Sequence, residues 1–178
     1  QCNFSKDELE FKTKKRINKI YNVCKSEKGK KDSIRGTANE YLVLGALMCD
    51  FPNVMMSSSA QTAHDLIVHQ NESMNIRIQV KTVTQTNSIP LEGGKRAGSD
   101  GEYGGEGTVS KKYSYSSKNC DLLIGIKNIN ICEFELYFIP GLVLDKLNQG
   151  SISSNKVSFT KNDLSVLRKS LDKKYAEE

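Results

Sequence analysis

Apolar positions along the chain recur with two different periods. Behind Ser5-Lys6-Asp7-Glu8, a capping-box pattern, Leu9, Thr13, Ile17, Ile20, Tyr21 and Cys24 return at helical spacing and predict an amphipathic helix. Lys12, Lys15, Arg16 and Lys19 occupy its other face, and Lys28-Gly29-Lys30-Lys31 predicts its end and a short exposed linker. Tyr41, Leu44, Leu47 and Met48 predict a second helix from near Thr37 to Cys49, stopped by Pro52. The period then changes. Val54 to Met56, Leu66 to Val68 and Ile76 to Lys81 read as strands, the last two joined by a polar turn around Asn71 to Ser73 into a hairpin. Alternation in the third run puts Ile76, Ile78 and Val80 on one face and Arg77, Gln79 and Lys81 on the other.

From Thr84 to Lys112 the chain is polar, and residues 93–107 hold seven of its thirteen glycines. No packed element is expected in this insertion, and a loop of that length in a compact domain is functional or disordered as a rule. Asp121 to Ile126 and Phe134 to Ile139 predict two further strands and Leu142 to Leu147 a short helix. A last helix is expected after Thr160-Lys161-Asn162-Asp163, running towards Lys174. This order predicts an α/β or α+β fold, a sheet flanked by helices.

Length changes the picture little: 178 residues suit one domain. Its expected parts are a basic helical arm over 1–35, a core over 36–140 with the Gly-rich insertion 84–112, and C-terminal helices over 141–178. Charge adds more. Residues 1–35 hold eleven Lys or Arg against five Asp or Glu, a net +6 that leaves −1 for the rest of a chain totalling +5. Such an arm can neutralise nucleic-acid phosphates, although a solvated helix face explains it as well. No apolar run has the length to cross a membrane and no signal-peptide pattern opens the chain, so an intracellular, cytoplasmic protein is expected. Five scattered cysteines, Cys2, Cys24, Cys49, Cys120 and Cys132, form no CxxC pair. They signal neither zinc nor disulfides and are all expected to be buried as small hydrophobes.

The chemistry-bearing residues lie on the predicted hairpin. Asp65 opens an apolar strand, and Gln79-Val80-Lys81 follows fourteen positions later on the next one. A hairpin can bring these side chains together. Oxygen ligands suit magnesium: the Asp65 carboxylate first, the Gln79 side-chain carbonyl second, the Val80 backbone carbonyl third. Lys81 would stabilise an attacking hydroxide and the charge building on a phosphate. The bland reading makes Asp65 a turn residue and Gln79 and Lys81 the solvent face of an edge strand. His64 and His69, which flank the first strand, are read as ordinary strand-end histidines. In the insertion, Lys95, Arg96 and Tyr103 are candidate DNA contacts, extended by Lys111, Lys112 and Lys118.

At Asp65 and Gln79-Val80-Lys81 the sequence resembles the PD-(D/E)xK nuclease superfamily, with Gln79 in place of the usual acidic residue. The resemblance implies a restriction-endonuclease-like core with a central mixed β-sheet flanked by helices, ordered helix, three strands, helix, strand over residues 36–140. It implies DNA phosphodiester hydrolysis with Mg2+, for which Mn2+ can substitute, and double-stranded DNA as partner. Many relatives also place a glutamate on the helix before the first core strand, which here is Glu40; Thr37 with Glu40 is equally a capping box. A small nuclease domain with a long insertion points to a type II restriction endonuclease acting as a homodimer. A Holliday-junction resolvase, a repair nuclease or a transposon end-cutting nuclease stays open. So do a catalytically weak DNA-binding module and an interaction protein without a nucleic-acid role.

Overall fold

The computed structural model describes residues 27, 29–57, 63–71, 74–94, 112–130, 133–172 and 174–175. The predicted helix over Ser5 to Cys24 therefore lies outside the described residues, as does most of the Gly-rich insertion. The chain divides into two compact units, Gln1–Ala38 and Asn39–Glu178. In the first, the described residues are helical. Helix α1 covers residues 29–48, and its part from Asn39 on belongs to the second unit. The exposed linker expected around Lys28 to Lys31 is thus corrected. Glu27 and residues 29–31 are all helical, and the lysines behind Gly29 are good helix formers.

The second unit is a mixed α+β structure around a five-stranded sheet ordered β1-β2-β3-β7-β8. Its strands are β1 (Val54–Met56), β2 (Leu66–Asn71), β3 (Met74–Thr82), β7 (Leu122–Asn128) and β8 (Phe134–Pro140). The predicted hairpin is present, with Leu66 opposite Ile78 and Val68 opposite Ile76 in antiparallel register. β3 and β7 run parallel, with Val80 beside Ile124, while β7 and β8 form a second antiparallel pair. The parallel pair requires a crossover, and residues 83–121 supply it. Among the described residues no helix lies in that crossover, where the family order would place one.

The crossover is also where the expectation of no packed element fails. β4 (Ser88–Pro90), β5 (Glu92–Gly94) and β6 (Lys112–Ser114) lie within 84–114, β4 pairing with β9 (Ser151–Ser153) and β5 with β6. Ile89 and Leu91 are buried here, so the segment packs through a few apolar residues set in a polar stretch. The C-terminal part is equally fragmented: α2 (Gly141–Leu144), a 3₁₀ helix over Ser154–Thr160, and α3 (Ser165–Lys169). The expected start of the last helix shifts because Thr160 faces inward, donating to Val157 O and accepting from Phe138 N. Asp163 lies just before the later turn, its carboxylate accepting from Ser165 N at 3.0 Å.

Alternation along the strands builds a core on each face of the sheet. Val43 and Leu47 of α1 and Val166 and Leu167 of α3 pack with Leu66, Ile78, Ile124 and Phe138 on one face. On the other, Ile89, Leu91, Tyr115, Leu144 and Val157 pack with Leu123, Tyr137 and Ile139. Helices therefore flank both faces. Gly125 permits the close approach of the crossover, since a Cβ there would lie 2.9 Å from Ile89 Cδ1. Cys120 is buried as expected, but Cys49 is exposed: it follows the last turn of α1, where its thiol reaches only Gly45 O at 3.6 Å. No helix among the described residues is long and apolar enough to cross a membrane.

Candidate active site

Asp65 sits where the chain enters β2. Its own backbone N–H donates to Ile78 O at 2.8 Å and its carbonyl accepts from Ser57 N at 2.8 Å, so the sheet holds it from both sides. Its carboxylate turns towards β3. Oδ2 accepts from Val80 N at 2.8 Å and from Gln79 Nε2 in a short contact. The same Nε2 donates to Val80 O at 3.1 Å. The Asp65 carboxylate, the Gln79 amide and the Val80 carbonyl thus converge at one point, as the hairpin register and the Gln79–Lys81 alternation predict.

Gln79 is only 5% exposed. A buried amide left without partners would cost about 1–3 kcal/mol, which explains why its nitrogen faces two acceptors. The donor set also tests the fit of a cation. Two hard oxygens, from Asp65 and Val80, already point at one spot, and Gln79 can add a third by presenting Oε1 in place of Nε2. Only one member carries charge, and no group of three His, Cys, Asp or Glu is gathered among the described residues. The arrangement fits a weakly held magnesium-type ion, not zinc or another soft metal.

Lys81 shares the face of Gln79 on β3, beside Gly125 of β7. Its ammonium lies 4.8 Å from the centroid of the Tyr115 ring. Tyr115 is buried, and burial, followed by its side-chain hydrogen bond with Tyr113, pushes the phenol well above its ordinary range. It remains a neutral ring. Tyr113 meets it edge-on at 5.4 Å and 78°. These tyrosines escaped the sequence reading, although Tyr113-Ser114-Tyr115 alternates like a strand and puts both rings on one side.

A second clamp, also unforeseen, fixes the turn before β7. Arg77 binds Asp121 through Nε at 3.0 Å and one terminal nitrogen at 2.9 Å, and also donates to Ser117 O and Lys118 O. The bond to Asp121 raises the guanidinium's pKa, and Arg77 therefore works as a strut. Nearby, burial and then the charge of Arg77 lower the pKa of His64. Burial pushes the Cys120 thiol up to about 12, which removes it as a nucleophile.

Glu40 is half-buried on α1, well inside the helix. The capping-box account of Thr37 and Glu40 is corrected by this placement, because neither residue is at a helix start. α1 packs through Val43 and Leu47 on the sheet face opposite Gln79 and Lys81. Its neighbour Asn39 donates to Thr82 Oγ1 at 2.7 Å and accepts from Asn128 at 2.9 Å, which ties the helix to the strand end next to Lys81. Lys95, Arg96, Tyr103 and Lys111 lie outside the described residues. Lys112 is paired with Gly94 in the β5–β6 pair.

No protein-family model matches this chain, and no curated protein matches it. Among solved structures, a bacterial homing endonuclease, I-Ssp6803I, is similar over 67% of this chain and 75% of its own, with a TM-score of 0.49 and 13% identity. Fold and site together describe a mixed α+β protein whose central sheet presents an Asp, an amide, a carbonyl and a lysine on one face. The functional reading rests on that geometry.

Proposed function

We propose that the protein is a magnesium-dependent DNA endonuclease. The observation that carries this reading is the convergence of the Asp65 carboxylate, the Gln79 side chain and the Val80 carbonyl, with Lys81 next along the same face. Asp65, Val80 O and Gln79 Oε1 would hold a divalent cation that, when bound, supplies positive charge to the scissile phosphate and acidifies a water. Asp65 is oriented for this by Val80 N, which fixes its carboxylate against the sheet. Lys81, on a rigid strand, places its ammonium against the charge that builds on the phosphate.

The finer reading is a type II restriction endonuclease with manganese as a substitute for magnesium, and a homodimer in which each copy addresses one strand. Lys95, Arg96, Tyr103, Lys111 and Lys112 of the insertion would contact the duplex. One observation favours a second reading, a catalytically weak DNA-binding module: the site gathers a single carboxylate where Gln79 is neutral.

Purified protein is to be incubated with a supercoiled plasmid and, separately, with a synthetic four-way junction, in magnesium and in EDTA. Discrete plasmid fragments that disappear in EDTA, in Asp65→Asn and in Lys81→Ala support the restriction reading. Cutting confined to the junction moves the assignment to a resolvase. DNA retained in a gel shift but never cut establishes the binding module, and loss of both activities rejects the nuclease reading.

A further inference from the structure

We infer that Tyr115 is a positioning residue for Lys81: the face of its buried ring holds the lysine ammonium in place, and the stem of the Gly-rich insertion holds the ring. The catalytic consequence rests on the nuclease reading, whereas the contact rests on the structure.

Lysine is a poor choice for a fixed charge, because its stem has four rotatable bonds and its ammonium is satisfied by any water. Something must limit it. The Lys81 ammonium lies 4.8 Å from the Tyr115 centroid, inside the range in which a ring face attracts a cation. Tyr115 is 4% exposed, so little water competes on that side. The ring in turn cannot drift. Its backbone N–H donates to Leu91 O at 2.9 Å, and its side chain is hydrogen-bonded to Tyr113, whose ring meets it edge-on. β5 closes the cage: a Cβ on Gly93 would lie 2.6 Å from the Tyr115 hydroxyl and from Tyr113 Cζ, so the pair fits only over a glycine. Gly93 and Tyr113 are register partners in the β5–β6 pair, which packs on the residue that holds the lysine.

The competing account makes Tyr115 one more apolar member of the second core, where it does pack. Phenylalanine and leucine separate the two, since both fill apolar space and only phenylalanine offers a ring face. Lys81→Arg identifies the Lys81 side-chain resonances by their loss. In the wild type, the Lys81 Cε protons are expected upfield of those of exposed lysines, shielded by the ring; the shift persists in Tyr115→Phe and vanishes in Tyr115→Leu. On plasmid, Tyr115→Phe is expected to keep kcat near wild type, and Tyr115→Leu to lose about tenfold in kcat with KM unchanged. Absence of the upfield shift in the wild type overturns the contact. A lost shift with unchanged kcat in Tyr115→Leu overturns the positioning role. A wild type that shows the shift but cuts no DNA overturns the nuclease reading and leaves the contact standing.

Discussion

Gly93 has no room for a methyl group. A Cβ would stand 2.6 Å from Tyr113 Cζ, 2.6 Å from the Tyr115 hydroxyl and 2.7 Å from the Tyr113 hydroxyl, so two ring systems bonded to each other would have to move. Gly94, the next residue of β5, has nothing within 4 Å of its Cβ position and serves as the control. Gly93→Ala is expected to lose about 1–3 kcal/mol, the usual cost of overpacking. Gly94→Ala should stay within about 0.5 kcal/mol of wild type. Urea unfolding of both decides it, and a Gly93→Ala variant as stable as its neighbour would mean that the tyrosine pair yields. The buried Gln79 belongs at the same scale. Its amide satisfies two acceptors without any cation, which a carboxylate at that position would not do. A neutral amide at this position therefore suits the chain without a cation.

Single elements are held by polar straps at their edges. β8 receives the chain after the 3₁₀ helix: Glu135 accepts from the Tyr137 hydroxyl at 2.7 Å and pairs with Lys161 at 3.0 Å, while Asn162 N donates to Leu136 O. The Tyr137 bond first, and Lys161 second, lower the Glu135 carboxyl from its ordinary 4.5. A carboxylate lowered on folding stabilises the native state above its unfolded pKa, and the gain is lost as pH falls through the folded value. Because the group is partly exposed, the effect should not exceed about 1 kcal/mol. Wild type is expected to melt above Glu135→Gln at pH 7, and the gap should close as pH falls below 4.5. A gap independent of pH would assign the difference to something other than this carboxylate.

Legibility also divides at the scale of elements. β2, β3, β7 and β8 run six to nine residues and carry their burial in their own alternation or apolar content, so sequence alone placed them and, with them, Asp65, Gln79 and Lys81. β4, β5, β6 and β9 are three residues each, and what makes them strands is a partner elsewhere in the chain, as Ile89 finds Ile152. No local pattern announces that. Tyr115 was hidden for the same reason: its contact with Lys81 exists only once the crossover folds back over β3.

At the scale of the whole molecule, one sheet carries two cores, and the candidate site lies on the side of the second. Phe138 is fully buried in the first core and Leu123 in the second, on neighbouring strands. Phe138→Ala should cost about 3–5 kcal/mol and Leu123→Ala about 2–5 kcal/mol. The informative comparison is between probes. The chain has no Trp, and the Tyr residues buried among the described residues, Tyr115 and Tyr137, both lie in the second core, so tyrosine fluorescence weights that face while far-UV circular dichroism reads the whole fold. Because β7 gives Ile124 to one core and Leu123 to the other, neither face can come apart without the strand they share. Phe138→Ala, although its cavity opens on the far face, is therefore expected to shift the fluorescence and dichroism transitions in urea equally. A fluorescence midpoint left at the wild-type value, with only the dichroism shifted, would show that the site face unfolds on its own. Coincident shifts would mean that the geometry around Asp65, Gln79 and Lys81 depends on packing behind the sheet as much as on the residues beside it.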